Sequence, residues 1–133
     1  MGRRFTACVM THGHLDIEWY QPMRSFAFWT MEAIDRLIEE CGRNADAPAY
    51  TLDGQVFPLE EYLAVRPENR KAVEALIERG KLRIGPFYTQ FDEWLPSPEG
   101  MVRNCLTGGR EARKYGPPMR VGYLPDNFGH PAQ

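Results

Sequence analysis

Short apolar runs alternate with amphipathic stretches along the chain. Apolar runs of strand length occupy residues 5–11, 49–52, 82–84 and 120–124. Between them, apolar residues recur three or four positions apart, which is the spacing of one face of an α-helix. The pattern therefore predicts an α/β fold in which parallel strands alternate with helices through right-handed crossovers.

Residues that begin or end helices refine this pattern. The first apolar stripe predicts a helix over residues 25–41, with Gly42 as its C-terminal cap. A short helical piece follows at 59–64, and Pro67 and Gly80 bound the next amphipathic helix.

The last predicted helix begins at Ser97 as N-cap, with Pro98 at its first position. Its expected apolar side consists of Met101, Val102, Cys105 and Leu106. Gly108 and Gly109 are expected to break or kink it. No helix follows the last predicted strand before Gln133, so four parallel strands would keep open edges. We therefore expect residues 1–133 to be the N-terminal portion of a larger barrel or sheet.

Composition and charge exclude several classes of protein. The 133 residues are 43% hydrophobic and 26% charged, as in one ordinary globular domain. No apolar run approaches the roughly 18 residues that span a bilayer, which argues against a membrane protein. The net charge of -2 and the absence of a basic stripe argue against a nucleic-acid partner. Three widely spaced cysteines and no apolar leader predict a reduced, cytoplasmic protein.

Polar side chains follow every predicted strand, where ligands of parallel α/β folds bind. These residues are His12, His14, Asp16 and Trp19 in the first loop, Asp53 and Gln55 in the second, Tyr88, Gln90, Asp92 and Glu93 in the third, and Asp126 and His130 in the fourth. We expect the fold to bring these four loops to one rim.

The first loop carries the strongest local chemistry. In an extended segment, His12, His14 and Asp16 point to the same side. Two imidazoles and a carboxylate suit a divalent metal, zinc above all. A polar turn with capping side chains is the alternative that the spacing leaves open.

The other candidates have simple structural alternatives. Trp19 could stack on a sugar ring, although the sequence alone favours a core aromatic. Asp92 could act as a nucleophile or an acid–base group, or belong to a solvated acidic pair. Asp53 and Asp126 are also typical of tight turns.

Four segments together resemble a known family. HGHLDIEWY resembles the opening motif of the glycoside hydrolase family 38 α-mannosidases. The following family segments are similar, in the same order, to LDGQVFPLEEYLAVRPENR, GKLRIGPFYTQFDEW and SPEGMVRNCLTGGREARKYGPPMRVGYLPDNFGHPAQ. The resemblance covers nearly the whole chain and is closest to the bacterial branch that includes mannosylglycerate hydrolases.

The resemblance implies roles for individual residues. His14 and Asp16 match zinc ligands, and Asp92 matches the catalytic nucleophile, which also contacts the zinc. The implied substrate-binding residues are Trp19, which packs on the mannose ring, His12 and Asp126. The implied fold is the first part of a seven-stranded parallel α/β barrel, followed by a helical bundle and β-rich domains.

The implied function is a retaining, zinc-dependent α-mannosidase that acts on a small carbohydrate, mannosylglycerate-type substrates included. The family's acid–base aspartate and a further zinc-binding histidine are expected beyond Gln133. We therefore expect the isolated chain to have little or no glycosidase activity. Two alternatives stay open: an amidohydrolase-type metal hydrolase, which also carries an HxH pair after its first strand, and a non-catalytic sugar-binding fragment.

Overall fold

Three short parallel strands form the centre of the fold. The computed structural model describes residues 3–131, so the first two and last two residues of the predicted 1–133 domain lie outside it. In chain order the elements are β1 (Thr11–His12), α1 (Met23–Arg43), β2 (Tyr50–Thr51), α2 (Phe57–Val65), a 3-10 turn (Pro67–Asn69), α3 (Arg70–Glu78), β3 (Leu82–Arg83) and α4 (Pro98–Ala112). The strand order is β1-β2-β3, and Tyr50 pairs with Thr11 on one side and Leu82 on the other. The α/β class with parallel strands is confirmed, and the partial barrel stays a prediction.

The core lies between the sheet and the helices α1, α2 and α3. Its fully buried side chains include Ile34, Leu52, Leu59, Val73 and Ile84. Burial of each such side chain contributes roughly 1.5–3 kcal/mol relative to exposure, before the loss of conformational entropy is subtracted. This core holds the strand ends in place, and the polar loops begin directly beyond them.

The first predicted strand is wrong over most of its length. Only its last residue, Thr11, lies in β1, and residues 3–10 have no regular structure. Val9 is 91% exposed and Phe5 is also exposed. Since strand preference depends on side-chain packing, an apolar run with no buried face gains little from strand formation.

The fourth predicted strand, residues 120–124, is also wrong within the described chain. Val121 is exposed. The backbone near this segment makes single hydrogen bonds to separate partners instead of the repeated hydrogen bonds of a β-ladder. The N–H of Met119 donates to the carbonyl of Ile84 at 2.9 Å. The carbonyl of Tyr123 accepts from the side chain of Gln90 at 2.8 Å.

The helix boundaries agree in part with the sequence pattern. Ser97 is confirmed as the N-cap of α4, since its Oγ accepts from the N–H of Gly100 at 3.1 Å. Gly42 is not the C-cap, because α1 continues to Arg43 and Asn44 is its C-cap. No helix within residues 3–131 has the combined length and apolarity that a membrane span requires.

Helix α4 differs from its prediction in two ways. Its expected apolar side is not buried: Leu106 is 67% exposed, and Val102 and Cys105 are also exposed. The buried face instead carries Gly108, Glu111 and Ala112. The two adjacent glycines do not break the helix, which continues to Ala112.

Gly108 is needed for close contact between α4 and the segment after β3. A Cβ at this position would lie 2.2 Å from the carbonyl carbon of Phe87 and 2.3 Å from the carbonyl oxygen of Pro86. Both are backbone atoms, which move only if the whole segment shifts. The helix therefore approaches this loop through a position that admits no side chain.

We expect Gly108→Ala to lower the free energy of unfolding by about 3 kcal/mol, because overpacking against backbone strains the fold. Gly109→Ala is the matched control, since its added Cβ would meet only Arg113 at 3.6 Å. It should raise stability by about 0.5–1 kcal/mol through helix propensity. Urea unfolding measures both, and equal effects at the two glycines would contradict this packing.

Candidate active site

Residues from the first, third and fourth polar loops line one cleft with a volume of about 340 Å³. Its wall consists of His14, Asp16, Glu18, Trp19, Gln90, Phe91, Asp92, Leu95, Pro125, Asp126 and Phe128. Of the six residues to which the family resemblance gives a role, five lie on this wall. They come from segments far apart in sequence. The first and third loops follow β1 and β3, whose ends the parallel sheet brings to one edge, whereas residues 125–128 follow a segment without strand structure in the described chain.

The imidazole of His14 lies among three carboxylates. Its Nε2 is 3.5 Å from Oδ1 of Asp16 and 3.7 Å from Oδ2 of Asp126. Its Nδ1 is 3.4 Å from Oδ1 of Asp53. The first two carboxylates face the cleft, whereas Asp53 is buried on the opposite edge of the ring.

Asp53 is fully buried, although the sequence treats it as an ordinary turn residue. Its Oδ2 accepts from the N–H of Leu15 and from Nε2 of Gln55, both at 2.8 Å. Burial raises the pKa of Asp53, and the bond from Leu15 and the nearby His14 oppose that rise. Its φ of 45° lies in the left-handed region, which Asp tolerates better than most residues.

Two glutamines join the loops behind the cleft. Gln55, which is fully buried, donates to the carbonyl of Leu15 at 2.9 Å and accepts from the N–H of Gln90 at 2.9 Å. Gln90 donates in turn to the carbonyl of Tyr123 at 2.8 Å. The amide chain therefore links the first three loops to the segment that leads into the fourth. A Cβ on Gly54 would lie 2.5 Å from that Tyr123 oxygen, so the close approach requires glycine.

Asp92 and Asp126 both line the cleft but have different contacts. Oδ1 of Asp92 accepts from the N–H of Trp94 at 3.0 Å. Asp126 has a left-handed φ of 52° and directs a carboxylate oxygen toward His14. Non-glycine residues in this backbone region often occur at functional sites.

A second pair of side chains joins the third and fourth loops. Nδ1 of His130 lies 3.0 Å from Oε2 of Glu93. Gly129 lies against the indole of Trp94, since a Cβ there would be 3.0 Å from the indole nitrogen. Both contacts lie outside the cleft, between the segment that carries Asp126 and the segment that carries Asp92.

His12 does not lie among the residues of the described chain that line the cleft. Its ring meets Tyr123 edge to face, with 5.2 Å between ring centroids. Its Nδ1 also lies within hydrogen-bond distance of the Tyr123 hydroxyl. The alternation of an ideal strand is therefore not maintained through this loop, and His12 and His14 have separate surroundings.

Trp19 is 72% exposed, so the expectation of a core aromatic is wrong. Its ring meets Tyr20 edge to face at 5.2 Å between centroids, and one side of it faces the cleft. An exposed indole beside polar side chains can stack on the apolar face of a sugar.

The side chains at the cleft are of the kinds that bind a divalent metal, but too few of those in the described chain are close together to complete a site. His14, Asp16 and Asp126 supply one imidazole nitrogen and carboxylate oxygens, which are zinc ligands. Within residues 3–131, however, no three His, Cys, Asp or Glu side chains are grouped closely enough to hold a metal. What is shown is two pairs that share His14, one with Asp16 and one with Asp126, which is part of a ligand set.

Comparisons with known proteins agree with one another. The family described as "Glycosyl hydrolases family 38 N-terminal domain" matches residues 4–133. A protein of Halalkalibacterium halodurans named "Putative mannosylglycerate hydrolase" is 37% identical over 93% of the chain, which spans 14% of that relative's length. The crystal structure of an alpha-mannosidase from Enterococcus faecalis V583 is 40% identical, with a TM-score of 0.85 over 90% of this chain and 13% of its own. A family 38 protein from Enterococcus faecalis is 38% identical, with a TM-score of 0.80 over 90% of this chain and 14% of its own.

Proposed function

Because the chain belongs to family 38 of the glycosyl hydrolases, as an N-terminal domain, we propose that it supplies part of the active site of a retaining, zinc-dependent α-mannosidase. The observation that carries this proposal is the cluster of His14, Asp16 and Asp126 beside the exposed Trp19 in one cleft. The names of the relatives favour an α-mannoside as substrate, and a mannosylglycerate-type compound is the narrower proposal.

We propose that His14 and Asp16 hold the zinc ion together with one further carboxylate, Asp92 or Asp126. A bound zinc ion would supply Lewis acidity next to the sugar hydroxyls. Asp126 is favoured as the further carboxylate because it lies 3.7 Å from the same nitrogen that faces Asp16. Asp92 remains the candidate that the family resemblance indicates.

A retaining glycosidase uses two carboxyl groups about 5 Å apart. One carboxylate attacks the anomeric carbon and forms an ester to the sugar, while the second donates a proton to the departing oxygen. Water then cleaves the ester with the second group as base. We propose that Asp126 or Asp92 is the attacking carboxylate, with Asp126 favoured because the Oδ1 of Asp92 already accepts from Trp94.

The walls of the cleft suit a small carbohydrate. Trp19 is proposed to stack on the mannose ring, and Asp126 to lie near its hydroxyls. The substrate is proposed to be a small carbohydrate. Neither nucleic acid nor membrane is proposed as a partner, since the net charge is -2. A cytoplasmic location is proposed because all three cysteines are free thiols.

The test is hydrolysis of a substrate panel by the protein that contains this chain, before and after chelation. We expect cleavage of α-mannosides with retained configuration, loss of activity with chelator and recovery with zinc. Asp46→Asn, which changes an exposed carboxylate outside the cleft, is the control and should retain activity.

Other outcomes would support the alternatives. Hydrolysis of amides or cyclic ureas instead of α-mannosides would favour an amidohydrolase-type enzyme. Saturable mannose binding without hydrolysis, insensitive to chelator, would favour a sugar-binding module.

A further inference from the structure

We propose that Asp53 is a positioning residue that holds the proton of His14 on Nδ1 and leaves the lone pair of Nε2 facing Asp16 and Asp126. This inference rests on the proposed function, since it assigns the state in which His14 serves the cleft. No residue of the predicted site carries out this role, and Asp53 itself does not line the cleft.

The two nitrogens of His14 have different surroundings. Nδ1 faces Asp53, which has no exposed surface and therefore depends on protein donors. Nε2 faces Asp16 and Asp126, whose side chains are 34% and 67% exposed and can accept from water instead. In the neutral ring, the tautomer with its proton on Nδ1, beside the buried carboxylate, is therefore the more stable one.

The position of Asp53 is determined independently of His14. Its Oδ2 is held by Leu15 and Gln55, so only Oδ1 is left to face the imidazole. Its left-handed backbone and the close contact of Gly54 with Tyr123 restrict the turn further. A carboxylate held in this way can select one tautomer of the ring it faces.

This tautomer has a chemical consequence in the cleft. An Nε2 lone pair that faces two carboxylates is repelled by them unless a proton or a cation lies between. Fixing the other proton on Nδ1 therefore prepares His14, Asp16 and Asp126 to share a divalent cation.

The test replaces Asp53 by Asn in the protein that contains this chain. Asn has nearly the same shape and also tolerates a positive φ. Its single oxygen is expected to stay with Leu15 and Gln55, which places the amide NH₂ against Nδ1 of His14. The variant should therefore reverse the tautomer and place the ring proton on Nε2.

Nitrogen-15 NMR of the His14 ring distinguishes a proton on Nδ1 from a proton on Nε2. We expect a proton on Nδ1 in the wild type and on Nε2 in Asp53→Asn. Asp126→Asn is the matched control, because Asp126 also has a positive φ but contacts the other nitrogen. It should leave the proton on Nδ1.

Titration with zinc chloride is the second measurement, and Asp53→Asn should weaken zinc binding by about 10- to 100-fold. A wild-type proton on Nε2 would overturn the proposal, even if the variant fails to fold. A folded variant that keeps the proton on Nδ1, or that reverses the tautomer without weakening zinc binding, would also overturn it. Absence of hydrolysis with the expected tautomers would count against the proposed function alone.

Discussion

Asp126→Asn is expected to lower the rate of α-mannoside hydrolysis by about 10⁴-fold or more, as expected when a nucleophile is removed. Asp92→Asn is expected to lower it by about 100-fold or less, as a change in positioning does. The reason is that Asp126 faces His14 at 3.7 Å, whereas Oδ1 of Asp92 accepts from the backbone of Trp94. Initial rates on an aryl α-mannoside, measured in the protein that contains this chain, give both values.

The two aspartates are matched, since both line the same cleft and both change from carboxylate to amide. A slow fluorinated mannoside should trap the covalent intermediate, and peptide mass spectrometry should find the label on Asp126. A label on Asp92, with the larger loss in Asp92→Asn, would instead establish the assignment that the family resemblance indicates. Equal and small losses in both variants would contradict nucleophilic catalysis by either residue.

The double variant His14→Ala, Asp16→Ala is expected to lose bound zinc, with binding weakened by more than about 100-fold. Loss of a residue that only hydrogen-bonds to a metal ligand already weakens metal binding by about 10- to 100-fold. This variant removes two proposed ligands directly. Their separation of 3.5 Å at the mouth of the cleft is the basis for placing both on one ion. Metal content by plasma mass spectrometry after dialysis measures the result.

The control for this variant removes another histidine and acidic residue from the same rim. Glu93 and His130 are paired at 3.0 Å, and neither lines the cleft in the described chain. The double variant Glu93→Ala, His130→Ala should therefore retain its zinc. Unchanged metal content in the His14 and Asp16 variant would remove the first loop from the proposed metal site.

The sequence by itself predicted where the helices lie and the order of the polar loops, but not the end of α1 or the buried face of α4. The apolar stripe within residues 25–41 and the Ser97 cap depend on contacts a few residues apart, so local patterns predict them. The parallel α/β class follows from the alternation of these elements. Because that class brings strand ends to one edge, it also explains why His14, Asp16, Trp19 and Asp92 share a cleft. Asp126 follows no strand in the described chain, so its place in the cleft comes from packing of the later segment.

Packing between distant segments decided the rest. The apolar runs at 5–11 and 120–124 have strand composition but no buried face, and the apolar side of α4 lies in solvent. Within residues 3–131 these surfaces have no partner to bury them, and burial is what stabilises such elements. The composition of a segment does not show whether another segment will bury it.

The same reason explains why the sequence understated Asp53 and misjudged Trp19. An Asp-Gly pair predicts a turn, but the burial of Asp53 and its contact with His14 join residues 39 positions apart. Trp19 is exposed and lies on the wall of the cleft. The residues next to it in sequence do not show that a cleft forms there. The sequence therefore determined which residue types reach the rim, and the tertiary structure decided which of them face one another, because burial and distance arise only when separate segments pack.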